Sequence, residues 1–292
     1  MAGIGTVFAA YEDNTEGTAH IGVYDNGGNF VRTIDLGFLD TWGGFFHMCI
    51  GANRTIYVTG EPLVGDYHTL WKLDEEGNIL TSVTYLWNWT HEAMAIGIDG
   101  YLYIFSSHDD TLEKRDPDTL AVVATCNVGS GDYCGLVFYS ETVFFTGEED
   151  LERAEKWDFV SGFIESQAVS DYVFTTDINL ALSGGLLCGV RVHTYAWTLP
   201  IAFTEGETSW DIEEIPGPHG GSTSIYGGDF ILIGEVTNGS GVIIVRYTTA
   251  KELVWKVEVT ESGYHPMEVA AYPYEVTAYD YPLYPVIFPL ET

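Results

Sequence analysis

Four of the eight histidines, His47, His91, His219 and His265, stand at or near the start of runs of small and apolar residues, as in FHMCIGA and THEAMAIGI. Asp132 and Asp177 hold the same place before YCGLVFY and INLALSG. Three Gly-Glu steps, at Glu61, Glu148 and Glu235, close a second set of runs, TIYVTGE, TVFFTGE and FILIGEV, and Glu12 closes TVFAAYE. Imidazoles and carboxylates gathered around one axis would hold a divalent cation. Imidazole suits zinc, iron or manganese, and carboxylate suits calcium or magnesium. In a metal-dependent lactonase or lyase the histidines would be ligands, and Glu61, Glu148 or Glu235 a ligand or general base. The same residues have a structural use, because His and Asp cap the turn into a strand by bonding to nearby backbone.

What must position them is a repeat. VYDNGGNFVRTI reads as a strand, a turn on Asp25-Asn26-Gly27-Gly28, and a second strand. The pattern returns in WKLDEEGNILTSVTY, EKRDPDTLAVVATCNV and EKWDFVSGFIESQAV, then in weaker form in LPIAFTEGETSWDIEEI and IIVRYTTAKELVWKVEV. The returning strands begin near Phe30, Ile79, Ala121, Phe163, Ser209 and Val254, so the period lies between 42 and 49 residues. Four short strands per unit at that period predict a β-propeller. The His- and Asp-led runs would be its innermost strands, and the runs ending in Glu its second strands. Both sets of side chains then surround one mouth of the central channel. The first copy lacks an inner strand, and YHPMEVAAYPYEVTAYDY would supply it from the C-terminus, closing six four-stranded blades and leaving no unpaired edge. Seven blades are the alternative if VTAYDYPLYP opens another. Residues 1–280 form the propeller on this reading. Tyr281–Thr292, with three prolines and no cation, runs extended as a tail that covers its own base or docks on a protein partner.

The connecting loops of the channel-mouth face carry aromatic residues, Trp42, Trp87, Trp89, Tyr133 and Tyr264 among them. Exposed, they would stack on a glycan or anchor a protein interface; turned inward, they would plug the channel. Eleven Lys+Arg against 43 Asp+Glu give a net charge of −32, which repels phosphate backbones and excludes nucleic acid as a partner. That charge serves solubility or life in high salt, or it draws a cation or basic partner. No apolar run reaches membrane-spanning length. MAGIGTVFAAYED has no basic segment before a long apolar one, so cytoplasmic synthesis with reduced, buried cysteines is expected. The sequons at Asn53, Asn88 and Asn238 are then chance matches. HEAMA lacks the second His of a zincin helix, and no GxSxG or GxxxxGK[ST] segment occurs. DNGGN and DEEGN lack the ligand spacing and closing Glu of a calcium loop.

The hairpins YDNGGNFV, LDEEGNIL and RDPDTLAV resemble those of six-bladed propellers of the NHL and SMP-30-like type, over nearly the whole chain. The resemblance implies architecture and leaves function open, since that fold hosts hydrolases, lyases, receptors and scaffolds. The Glu, Asn and Asp set of SMP-30-like lactonases has no one-for-one match here. Without a catalytic motif, the expectation is a non-enzymatic binding or assembly module needing no cofactor, such as a capsid- or tail-associated virion component or an adhesin. The alternative is the metal-dependent lactonase or lyase.

Overall fold

The structure is a computed structural model that describes residues 7–13, 17–40, 47–62, 68–84, 91–106, 110–129, 133–148, 153–169, 181–183, 186–191, 195–203, 208–211, 220–226, 229–236, 241–248, 250–259 and 264–271. Among these residues the regular elements are strands, with a single 3-10 turn at Ala52–Arg54. The strands form antiparallel meanders of four.

The first meander is completed from the far end of the chain. β1 (Val7–Asp13), β2 (Thr18–Tyr24) and β3 (Phe30–Asp40) follow one another, and β24 (Tyr264–Ala271) pairs with β1 from Val7↔Ala271 to Asp13↔Tyr264. The second contains β4 (His47–Ile50), β5 (Ile56–Pro62), β6 (Thr69–Leu73) and β7 (Ile79–Thr84). The third contains β8 (His91–Ile96), β9 (Leu102–Ser106), β10 (Thr111–Arg115) and β11 (Val122–Asn127). β12 (Tyr133–Phe138), β13 (Val143–Glu148), β14 (Arg153–Asp158) and β15 (Gly162–Ala168) form the fourth. β16 (Ala181–Ser183), β17 (Leu186–Arg191), β18 (Tyr195–Pro200) and β19 (Thr208–Asp211) form the fifth. β20 (Gly220–Tyr226), β21 (Asp229–Glu235), β22 (Val242–Tyr247) and β23 (Leu253–Val259) form the sixth. Two residue pairs, Leu39↔Pro62 and Asp40↔Glu61, join the first meander to the second. The innermost strands touch in order: β24 on β4, β4 on β8, β8 on β12, β12 on β16, β16 on β20, and β20 on β24.

Period-two alternation lets both faces of a meander be buried. In β1, Phe8 and Ala10 pack toward the second meander with Met48, Ile56 and Val58. Val7, Ala9 and Tyr11 pack toward the sixth with Ile231, Ile233 and Ile244. Separate clusters fill the seams between second and third (Cys49, Tyr57, Met94, Ile104) and between third and fourth (Phe105, Tyr133, Phe138, Trp157). Each large side chain so buried contributes about 1.5–3 kcal/mol. Cys49, Cys126 and Cys188 are buried, as expected from their apolar runs.

The repeated Asp of the hairpins fastens the turn. One carboxylate oxygen of Asp25 accepts from the backbone N–H groups of Gly27 and Asn29 at 2.9 and 2.8 Å. Asp74 does so with Glu76 and Asn78, Asp116 with Asp118 and Thr119, and Asp158 with Val160 and Ser161. In the sixth meander Thr248 replaces Asp, and its hydroxyl accepts from the N–H of Glu252 at 3.2 Å. A short polar side chain in this position closes the turn without help from a partner strand.

Candidate functional site

The register sets the residues at the ends of the second strands beside neighbouring strands, one meander at a time. His265 on β24 lies opposite Glu12 on β1. His47 on β4 lies opposite Thr59 on β5, two residues before Glu61. His91 on β8 faces Ser106 on β9. Tyr133 on β12 faces Glu148 on β13, which in turn faces Arg153 on β14. Glu235 ends β21 opposite Val242, just past the Gly220↔Gly234 pair. The side chains of His91, Glu148, Glu235, Tyr264 and His265 lie outside the described residues, as do Trp42, Trp87, Trp89, Asp132, Asp177, His219 and Tyr281–Thr292 altogether.

The second meander has the best defined geometry. Cys49 and Tyr57 face the third meander, so their register neighbours His47 and Thr59, two residues along on the same side, face it too. His47 and Thr59 are both buried. Glu61 reaches across to His68, which directly precedes β6, with Nε2 and Oε1 3.4 Å apart. Burial lowers the His68 pKa below its usual value of 6.5, and the opposing influence of the Glu61 carboxylate is the smaller one. A neutral imidazole donating from Nε2 to Glu61 satisfies both observations. His68 is only 2% exposed, whereas Glu61 is 27% exposed, so the carboxylate is the end that meets solvent.

The fourth meander holds a second buried polar group. Glu155 is buried yet accepts from Trp157 Nε1 at 2.7 Å and pairs with Arg153 at 2.5 Å. A buried carboxylate held by two donors is satisfied in place. Tyr133 lies in the core and not in an exposed loop. It stacks on Phe105 at 5.1 Å and donates its hydroxyl to the carbonyl of Val128 at 2.6 Å. It opens β12 on the face that meets the third meander, so strand alternation turns it inward.

Among the described residues no three His, Cys, Asp or Glu side chains converge as a metal-binding group. The expected ring of ligands is therefore represented in described geometry by pairs within single meanders. His68, Arg153 and Glu155 were not singled out from the sequence. All three belong to the third-strand side of their meanders, where only a charged residue in an apolar phase could have marked them.

No protein-family model matches the chain, and no curated protein matches it by sequence. Solved structures do match by shape. A chain of the nidogen/laminin complex aligns over 90% of this chain and 97% of its own length, at a TM-score of 0.59 and 11% identity. A streptogramin B lyase aligns over 92% and 89%, at 0.59 and 11%. Virginiamycin B lyase from Staphylococcus aureus aligns over 73% and 69%, at 0.52 and 10%. The fold is a β-propeller. At these identities the likeness is one of fold alone, and it does not single out the NHL and SMP-30-like propellers from others.

Proposed function

We propose that the six meanders are the blades of one closed propeller, fastened by β24, and that the protein is a non-enzymatic binding or assembly module. The pairing of β24 along the length of β1, with one bulge at Met267, and the successive contacts of the inner strands support the closed six-bladed reading. One observation carries the functional reading. Of the three imidazoles whose surroundings are described, His47 and His68 are buried within the second meander, out of reach of an external substrate, and His20 is held in the first beside Asp35, Thr18 and Tyr11. The likeness to a chain of the nidogen/laminin complex agrees with a protein-binding role for this architecture. The finer reading, a component of a larger particle such as a phage virion, rests on composition alone: acidic, Tyr- and Gly-rich, entirely β.

A second reading is favoured by the two lyase likenesses together with the His and Glu residues at the strand ends. In that reading His47, His91, His219 and His265 bind a divalent cation, and Glu61, Glu148 or Glu235 serves as ligand or base. Two measurements separate the readings. Virginiamycin B is incubated with the protein, with and without added divalent metal, and followed by mass spectrometry. Bound metal is measured by elemental mass spectrometry in the wild type and in His91→Ala. The binding-module reading expects no turnover and no stoichiometric metal. Turnover, or about one equivalent of metal that falls in His91→Ala, overturns it.

A further inference from the structure

The outer strands share a feature that the channel face does not explain. In the first, second, third, fourth and sixth meanders the ladder between third and fourth strands is interrupted at the same place, just after the hairpin turn. Tyr24 pairs with Phe30 and Val23 with Arg32, which leaves Val31 as the extra residue. The same skip leaves out Leu80, Val123, Ile164 and Val254. All five are aliphatic, and all are between 40 and 56% exposed. Each follows another exposed apolar residue, Phe30 at 60% being the most open. The side chains of β19 in the fifth meander lie outside the described residues.

Single exposed apolar residues are ordinary, but the same exposed pair at one register position in five meanders is a pattern. An edge strand is normally protected by charge, proline or a bulge. Here the bulge is present, which turns the edge away from strand addition, yet the residue it pushes outward is aliphatic every time. The turns beside these pairs are acidic. Asp25, Asp74, Glu75, Glu76, Asp116 and Asp158 lie within a few residues, in a chain of net charge −32.

The geometry points to a belt around the propeller rim that docks a cationic protein surface bearing apolar side chains. Apolar contact comes from the bulged residues, and the acidic turns select the sign of the partner. A second copy of this chain brings the same large negative charge and is repelled. The apolar segment Tyr281–Thr292 has no cation to offer the turns. The belt extends the binding-module reading to a surface remote from the channel. Virginiamycin B turnover would end that reading and leave the belt standing.

The test is a fluorescence-anisotropy titration of the full chain with labelled peptides. The probes are an amphipathic Lys/Leu peptide, a Lys/Ser peptide of equal charge, a Glu/Leu peptide of equal apolarity, and the segment Tyr281–Thr292. The variants are Leu80→Ser alone and the triple Leu80→Ser/Val123→Ser/Ile164→Ser, each checked for an unchanged near-UV spectrum. The Lys/Leu peptide should bind the wild type at least about tenfold more tightly than either Lys/Ser or Glu/Leu. The triple variant should lose that advantage while its Lys/Ser binding stays unchanged, and Leu80→Ser should lose part of it. Equal binding of Lys/Leu and Lys/Ser would reduce the belt to bulk charge and overturn the proposal. So would tighter binding of Tyr281–Thr292, or a wild-type dimer that the triple variant dissociates in sedimentation.

Discussion

Gly77 tests whether the hairpin turns lock one meander to the next. It sits in the turn of the second meander at φ +90, and a Cβ built there would stand 2.3 Å from Cγ2 of Ile34 on β3. Ile34 is buried in the cluster between the first two meanders and cannot swing away freely. Two penalties therefore combine in Gly77→Ala. Left-handed backbone costs a residue with a Cβ about 1–2 kcal/mol. Overpacking a filled seam adds roughly 1–3 kcal/mol. The protein supplies its own controls. Gly100 and Gly162 have φ of +80 and +91, but nothing lies within 4 Å of their Cβ positions. Gly100→Ala and Gly162→Ala should show the backbone cost alone. With an unfolding entropy of about 2.1 cal/mol/K per residue, 1 kcal/mol corresponds to roughly 1.6 °C for a chain of this size. Calorimetry should then find Tm lower by about 2–3 °C in the two controls and by about 3–8 °C in Gly77→Ala. In a double-mutant cycle, Ile34→Ala should recover the seam part, giving a coupling of roughly 1–3 kcal/mol. Equal losses at all three glycines, with strict additivity in the cycle, would refute the lock. Gly28 in the first meander has the same design, at φ +78 and with its Cβ position 3.0 Å from Trp255 of the sixth.

Two further outcomes concern pH. Hydrogen bonds from the turn hold the carboxyls of Asp25, Asp74 and Asp116 below the usual 3.8, and Asp158 is held there first by the Thr142 hydroxyl and then by its own turn. A depressed carboxyl contributes stability above its unfolded pKa and loses it as pH falls through the folded one. Tm should therefore drop below about pH 4, and Asp74→Asn, which can close the turn without titrating, should flatten part of that drop. His68 is depressed below 6.5, so its contribution is full above that value and declines as pH falls beneath it. The wild type should lose more stability between pH 7.5 and 5.5 than His68→Gln, and equal slopes would show that folding leaves the His68 pKa unchanged.

The repeat was legible because each hairpin carries its own instructions. Asp25, Asp74, Asp116 and Asp158 close turns by purely local bonds, so their spacing survives where strand residues diverge. The fifth copy reads poorly because β19 is only four residues long and its turn has no such Asp. The bulges were not legible, since an extra residue in an edge strand leaves no mark until the partner's register is known. The same applies to the site. His47 and Glu61 could be placed at strand ends by pattern. The pairing of Glu61 with His68 depends on the β5–β6 ladder, whose last pair, Gly60↔Thr69, brings the residues on either side of it together. The pattern leaves Tyr133 between loop and core, because one residue at a strand start exchanges the two, and the structure has it in the core.

The cations complete the account. Lys72, Lys114, Lys156 and Arg246 occupy one register position, immediately before the bulge in the third strands of four meanders. Each is paired: Lys72 with Asp118 of the next meander at 2.7 Å, Lys114 with Asp99, Lys156 with Glu165, and Arg246 with Asp229. Arg246 and Trp255 also donate to the carbonyl of Asn26 across the seam between sixth and first, and Arg32 donates to the carbonyl of Glu75 across the seam between first and second. Partly exposed pairs of this kind are individually worth about 0–1 kcal/mol, so their number adds little to stability. Their placement matters more. The turns of the first, second and third meanders each meet the preceding meander, and Arg246, Arg32 and Lys72 offset the repulsion there. Internal pairing thus uses much of a small supply of positive charge, and the surplus carboxylates leave the rim with a negative field. A partner that approaches the apolar bulges must supply the missing cations itself.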